Sequence, residues 1–262
     1  VQPRIRCATS DVPTLQAYRR RVTDRITDEQ APEHGAAGHP LLDNPALAAL
    51  TGPHARFAQR HGGALRYHPD VCPMAALPDS PTEQDWSDAA ELVGPSGSLF
   101  LPVVTNRPPA DWDTTMDLPG VQMIDVGADA RPDDEAVILT AADVPEMTDL
   151  VQRTRPGPFR PRTIEMGTYL GIRRNDRLIA MGGERLSLPG YTEISAVCTA
   201  PEFRGLGLAS RLVLDLAHRI RNRGDTPILH ADARNVGAIR LYQQLGFVVR
   251  REVLFQVFTA PQ

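Results

Sequence analysis

Val197-Cys198-Thr199-Ala200-Pro201-Glu202-Phe203-Arg204-Gly205-Leu206-Gly207-Leu208-Ala209 is the stretch whose reading decides the fold. The run Glu193–Thr199 has strand character and stops at Ala200-Pro201. A helical pattern follows over Gly207–Arg223, where Ala209, Leu212, Val213, Leu216 and Ile220 make one apolar stripe and Gly224 supplies the stop. The segment therefore reads as strand, turn, helix. Amides in the first turn of a helix have no internal partner, and the helix dipole adds partial positive charge there. Such a terminus suits a phosphate or diphosphate. Gly205 and Gly207 let the backbone approach an anion closely, and Arg204 offers a charge-assisted contact. A dinucleotide-binding fingerprint fits less well. Ser210 stands where its third glycine or alanine belongs, and no acidic ribose-binding residue is evident about 20 residues on.

Working outward, Ile228–Ala231 reads as a strand and Asn235–Leu245 as a helix closed by Gly246, with Phe247–Phe258 forming the last strand or pair of strands. Upstream, Thr168–Arg173 and Leu178–Arg185 are strands joined by the turn-prone Arg174-Asn175-Asp176. Ala136–Leu139 is a short strand, and Asp143 is placed to cap a helix reaching about Arg153. Arg131-Pro132-Asp133-Asp134-Glu135 has the composition of a linker. The expected organisation is a polar extension over 1–38, an N-terminal α/β unit over 39–131 and a C-terminal domain over 136–262. In the extension, Leu15–Asp28 has helical spacing. In the N-terminal unit, Asn44 is placed to cap a helix starting at Pro45, Thr82–Leu92 reads as a helix, and Ala64–Tyr67 and Leu99–Val104 read as strands. Prolines crowd 95–119, which predicts loop there.

A second segment carries chemistry: Asn235-Val236-Gly237-Ala238-Ile239-Arg240-Leu241-Tyr242-Gln243-Gln244-Leu245-Gly246-Phe247. Asn235, Ala238 and Tyr242 are three and four residues apart and share a helix face. Taken singly, Asn235 is an ordinary helix cap and Tyr242 a core aromatic with a bonded hydroxyl. Taken with the glycine turn, the two segments resemble the GNAT superfamily of N-acetyltransferases. That family's turn is Gln/Arg-x-x-Gly-x-Gly/Ala, matched by Arg204, Gly207 and Ala209. Its later motif is Asn-x-x-Ala-x-x-x-Tyr-x-x-x-Gly-Phe, matched by Asn235, Ala238, Tyr242, Gly246 and Phe247. The run before the turn looks like the branch that includes glycine N-acyltransferase-like proteins.

The resemblance covers roughly Ala136 to Phe258. It implies an α/β fold with a mixed, mostly antiparallel sheet flanked by helices. The smaller N-terminal α/β unit matches no motif; a degenerate second copy of the fold is one reading of it. The resemblance also implies acetyl-CoA as co-substrate, with direct transfer of its acetyl group to a primary amine. Backbone groups of Val197, Cys198 and Thr199 would line the pantetheine arm, and amides near Val197 and Cys198 would stabilise an oxyanion. Arg204, Gly205, Leu206, Gly207, Leu208, Ala209 and Ser210 would hold the pyrophosphate. Asn235 and Ala238 would meet the cysteamine end, and Tyr242 would protonate the departing thiolate. Two side chains compete for the role of base: Glu193, opening the strand before the turn, and His230, five residues ahead of Asn235. Cys198 reads as a buried strand residue and not as a nucleophile.

Composition narrows the rest. A chain of 262 residues with 42% hydrophobic content can bury a core, and a net charge of −4 argues against a nucleic-acid partner. All 28 basic residues are arginine, so no lysine side chain is present to be acetylated. Three scattered cysteines and seven scattered histidines suggest neither a disulfide framework nor a metal site. No membrane-spanning or signal segment is evident, which makes a cytoplasmic setting the default expectation. The expected partner is a small-molecule amine, and a homodimer is left open. Two other readings stand beside the enzyme: a non-catalytic acyl-CoA-binding regulatory module, and an acetyltransferase acting on protein N-termini or lysines.

Overall fold

The computed structural model describes residues 39–103 and 107–262. The 1–38 extension, with the helix expected at Leu15–Asp28, lies outside the described residues. The described residues form eleven strands and five α-helices, and the C-terminal half is built around a hairpin. Strands β7 (Tyr169–Arg174) and β8 (Arg177–Leu188) are joined by Asn175 and Asp176, both left-handed at φ 50° and 61°. That is the two-residue turn whose twist matches antiparallel strands, and asparagine and aspartate tolerate it best after glycine. Strand β8 then pairs antiparallel with β9 (Tyr191–Thr199). Strand β9 pairs parallel with β10 (Thr226–Asp232), an arrangement that needs a crossover. Helix α4 (Leu208–Asn222) supplies it. It buries Leu208, Leu212, Val213, Leu216, Ala217 and Ile220 against Leu170, Ile172, Ile179, Ile194 and Leu229 of the sheet. Leu208 takes the place in the stripe expected for Ala209, which is only half-buried.

With β6 (Val137–Ile138) at one edge, the full sheet has eight strands in the order β4-β11-β5-β10-β9-β8-β7-β6, and every neighbouring pair except β9–β10 is antiparallel. Helix α4 covers one face. On the other face lie α3 (Val144–Thr154) and the small N-terminal region. That region holds a three-stranded sheet of β1 (Ala58–His61), β2 (Ala64–Tyr67) and β3 (Ala75–Ala76), with α1 (Pro45–Leu50) and α2 (Glu83–Val93). Asn44 caps α1, its Oδ1 accepting from the Leu47 amide at 3.3 Å, as its position in the sequence predicts. Asp143 behaves differently. Its carboxylate accepts from the Thr140 amide and from Arg173, and makes no cap bond to α3.

The boundary expected at 131–136 is not a domain boundary. Strands β4 (Ser98–Pro102) and β5 (Asp113–Asp125) belong to the large sheet, with β5 inserted between β10 and β11 (Phe247–Thr259), and residues 39–262 form one compact unit. Without β5, both β10 and the long strand β11 would leave a hydrogen-bonding edge open. The apparent linker is pinned as well: Asp133 accepts from Arg211 of α4 at 2.6 and 2.7 Å. The proline-rich stretch expected to be loop contains most of β5. Pro119 is accommodated because β10 pairs with β5 only as far as Gly120, and the Pro119 carbonyl accepts from Ala233 just past the end of β10. The missing N–H therefore costs the sheet no ladder bond on that side. Among the described residues, no helix is long and apolar enough to cross a membrane.

Candidate active site

The ladder between β9 and β10 runs from Tyr191–Thr226 to Ile194–Leu229 and stops, although β9 continues to Thr199 and β10 to Asp232. The strands part at a bulge. Partners in β8 jump from Gly183–Ser195 to Met181–Cys198, and Ala196 between them is left-handed at φ 53°. An extra residue on one strand bends it and interrupts pairing. Val197 and Thr199, both half-buried, thus lie on a stretch of β9 that has no ladder pairing with β10.

That stretch leads through Ala200 and a short turn, Pro201–Phe203, to Arg204 and the two glycines. Gly205 and Gly207 have φ of 80° and 73°, and a Cβ on either would meet nothing within 4 Å. Glycine is required by the backbone conformation, and the space beside it is open. Leu206 between them is 63% exposed. Gly207 is the N-cap of α4, where no side chain caps the helix, and the first helical bond runs from the Arg211 amide to the Gly207 carbonyl. The amides of Leu208, Ala209 and Ser210 are left for an outside acceptor. An uncapped terminus, open glycines and an exposed arginine fit a diphosphate.

Helix α5 (Val236–Gln244) brings the second motif alongside. Asn235 is its N-cap, with Oδ1 accepting from the Ala238 amide at 3.1 Å. Tyr242 packs edge-on to Phe247, ring centroids 6.4 Å apart, and joins the cluster containing Leu229 and Ala231 of β10. It therefore lies on the α4 face of the sheet. Burial pushes its phenol up to about 12, so it keeps its proton and acts as a donor. Cys198 is a buried free thiol packed with Met181, Ala196 and Ala200 beneath α3, and burial raises its pKa. That environment does not make a nucleophile.

Glu193 and His230 come together, as neighbours in a buried network on the other face. Arg185 Nε donates to Glu193 Oε2 at 2.9 Å and Nη2 to Oε1 at 2.5 Å; His230 Nδ1 lies 2.8 Å from the same Oε1. His230 Nε2 lies 3.0 Å from Nε2 of Gln122. Gln122 also donates to the Leu42 carbonyl at 2.8 Å, and its Oε1 accepts from Arg250 at 2.7 Å. A guanidinium only donates and a carbonyl only accepts, which fixes the amide's orientation. Gln122 then donates to Nε2, and the imidazole proton sits on Nδ1, facing Glu193. Burial acts to raise the Glu193 carboxyl, but Arg185 and His230 outweigh it and hold the group well below the usual carboxylate range. Glu193 is thus a buried anion at 0% side-chain exposure with both oxygens bonded, holding Arg185 and His230. Arg185, Gln122 and Arg250 escaped the sequence reading. They are ordinary polar residues on separate strands, and nothing local marks them.

The family model for FR47-like proteins matches residues 169–256. A solved structure from Novosphingobium aromaticivorans, assigned to the GNAT family of acetyltransferases, is 36% identical. It aligns over 86% of this chain and 100% of its own, with a TM-score of 0.78. A GCN5-related N-acetyltransferase from Kribbella flavida shares the fold at 18% identity, over 84% of this chain and 95% of its own, with a TM-score of 0.55. No match is found among curated proteins.

Proposed function

The chain belongs to the GNAT family of acetyltransferases, and from that premise we propose that it transfers the acetyl group of acetyl-CoA to the nitrogen of a small amine by direct attack. The observation that carries this reading is the uncapped start of α4 opening beside the unpaired stretch of β9. The amides of Leu208, Ala209 and Ser210, the backbone at Gly205, Leu206 and Gly207, and the Arg204 guanidinium hold the diphosphate. Backbone groups of Val197, Cys198 and Thr199 take the pantetheine as an added strand in the slot. Asn235 uses its oxygen as the helix cap, which leaves its NH2 to meet the same arm, and Ala238 keeps that face of α5 small. Acetyl-CoA supplies an electrophilic thioester carbon and a thiol leaving group. Tyr242, protonated throughout the physiological range, donates to the sulfur.

The test is to incubate the protein with acetyl-CoA and a panel of amines, following free thiol and product mass. Release of CoA with an acetylated amine is expected. Tight acyl-CoA binding without any amine-dependent release makes the protein a binding module instead. Tyr242→Phe is expected to lower kcat by ~10²–10⁴-fold while acetyl-CoA affinity is kept. Unchanged turnover removes the tyrosine from the reaction.

A further inference from the structure

We propose that the acceptor is a weakly basic amine, of the α-amino kind and not the alkylamine kind, and that it reacts from its own neutral fraction without first giving a proton to His230 or Glu193. This rests on the acetyltransferase reading above and names the substrate class of that same site.

Each proton-accepting atom of the candidate bases where β9 and β10 part already has a donor. Glu193 Oε1 accepts from Arg185 and His230, and Oε2 from Arg185. His230 Nε2, the remaining lone pair, faces the Gln122 amide at 3.0 Å. To release it, Gln122 would have to leave the Leu42 carbonyl and the Arg250 guanidinium together. Arg250 is itself tied to Asp43 at 2.7 Å and to the His39 carbonyl at 3.3 Å. His230 itself meets Glu193 of β9, Gln122 of β5 and the Phe255 ring of β11, and Arg185 of β8, Arg250 of β11 and Asp43 of the segment before α1 bond to those partners in turn. From the N-terminal region, Tyr67 and Cys72 also feel the Arg185–Glu193 charges. The His230 side chain is 3% exposed and that of Glu193 0%, so bulk water is not at hand to carry a proton to either. Further along β10, both carboxylate oxygens of Asp232 accept from Arg234. Tyr242 holds its proton and is a donor.

The transfer balances without a separate base. The neutral nitrogen forms the N–C bond, the C–S bond breaks, and Tyr242 gives its proton to sulfur. The phenolate then recovers a proton from the nitrogen. The net result is one proton moved from nitrogen to sulfur. The price falls on the amine's ionisation. At pH 7 an α-amino group of pKa about 7.7–8.0 is roughly a tenth neutral, whereas an alkylamine of pKa about 10.4 is neutral to roughly 0.04%, a ~200–400-fold difference in usable nucleophile.

The experiment uses the full chain, acetyl-CoA, and amines of graded pKa between those limits, with kcat/KM followed against pH by thiol release. Expected is an acid limb of slope one that breaks at each amine's own pKa and then levels off. A break at one pH shared by all amines, followed by a fall above each amine's pKa and abolished in His230→Gln, shows a protein base collecting the proton and overturns the proposal. Thiol release with no amine at any pH overturns the acetyltransferase reading instead, so the two failures are distinct.

Discussion

At its C-terminal end β9 leads to a helix start that no side chain caps, beside two glycines with open space around them. Near its other end it carries Glu193, with both oxygens bonded and no solvent contact. Both ends are polar, yet only one is available. Exposed amides at a helix start lose little by waiting for a ligand, because water serves them meanwhile. A carboxylate inside the sheet has no such recourse and must be paired by the protein itself. Recognition is thus to be sought where oriented polar groups are left over in reach of solvent. A buried charged network, however close to the slot, first does the work of holding strands in place. The Glu193–His230 network spans five neighbouring strands with one residue from each: Arg250 on β11, Gln122 on β5, His230 on β10, Glu193 on β9 and Arg185 on β8. It ties the sheet together at the level where the β9–β10 ladder ends.

The sharpest way to break this contrast is Glu193→Gln. Removing the carboxylate's charge leaves the Arg185 guanidinium buried and uncompensated, and a cost of about 3–5 kcal/mol is expected, read from the denaturant midpoint. The pH dependence has a definite sign. The folded-state pKa of Glu193 is depressed, so its contribution is full above the unfolded value of about 4.3 and fades only as pH falls through the lower folded value. Wild type and variant should therefore converge in strong acid. A loss under about 1 kcal/mol at neutral pH would mean that the network does not hold the sheet.

Gly207→Trp probes the other end. The residue has φ 73° and open space around it, so the ring would fill the place reserved for the anion. Loss of two charge-assisted contacts at about 1.5 kcal/mol each predicts a ~100-fold weaker acetyl-CoA affinity by calorimetry. Wild-type affinity would move the diphosphate elsewhere.

How far each end could be read from the sequence follows from the same contrast. The glycine turn, the Asn235 cap and the Asn175-Asp176 hairpin are local. Each demands particular residues for a backbone conformation or a helix terminus, and those residues sit within a few positions of one another. The sheet order is not local. Strand β5 reads as loop because prolines crowd its approach, and only its place beside the end of β10 makes Pro119 harmless. Arg185, Gln122 and Arg250 could not be connected in advance, because what joins them is the arrangement β11-β5-β10-β9-β8 together with the bulges in β8–β9 and β11. The sequence leaves the choice between Glu193 and His230 as base open for the same reason. It depends on which lone pairs the neighbouring strands occupy.

The smallest expected effect sharpens the contrast most finely, because it concerns a buried polar group that the network leaves out. The Tyr169 ring lies over Gly183, so close that a Cβ there would come within 2.3 Å of it, and the residue is 1% exposed. Its hydroxyl has no hydrogen-bond partner among the described residues, and burial holds it protonated. If pairing is what makes buried polar groups on this face stabilising, deleting this one should cost nothing. Tyr169→Phe removes an unpaired group from an otherwise unchanged shape, so the denaturant midpoint should stay level or rise by up to about 1 kcal/mol. A fall of more than about 1 kcal/mol would show that the hydroxyl is bonded after all, and that the paired network extends past Arg185 into β7.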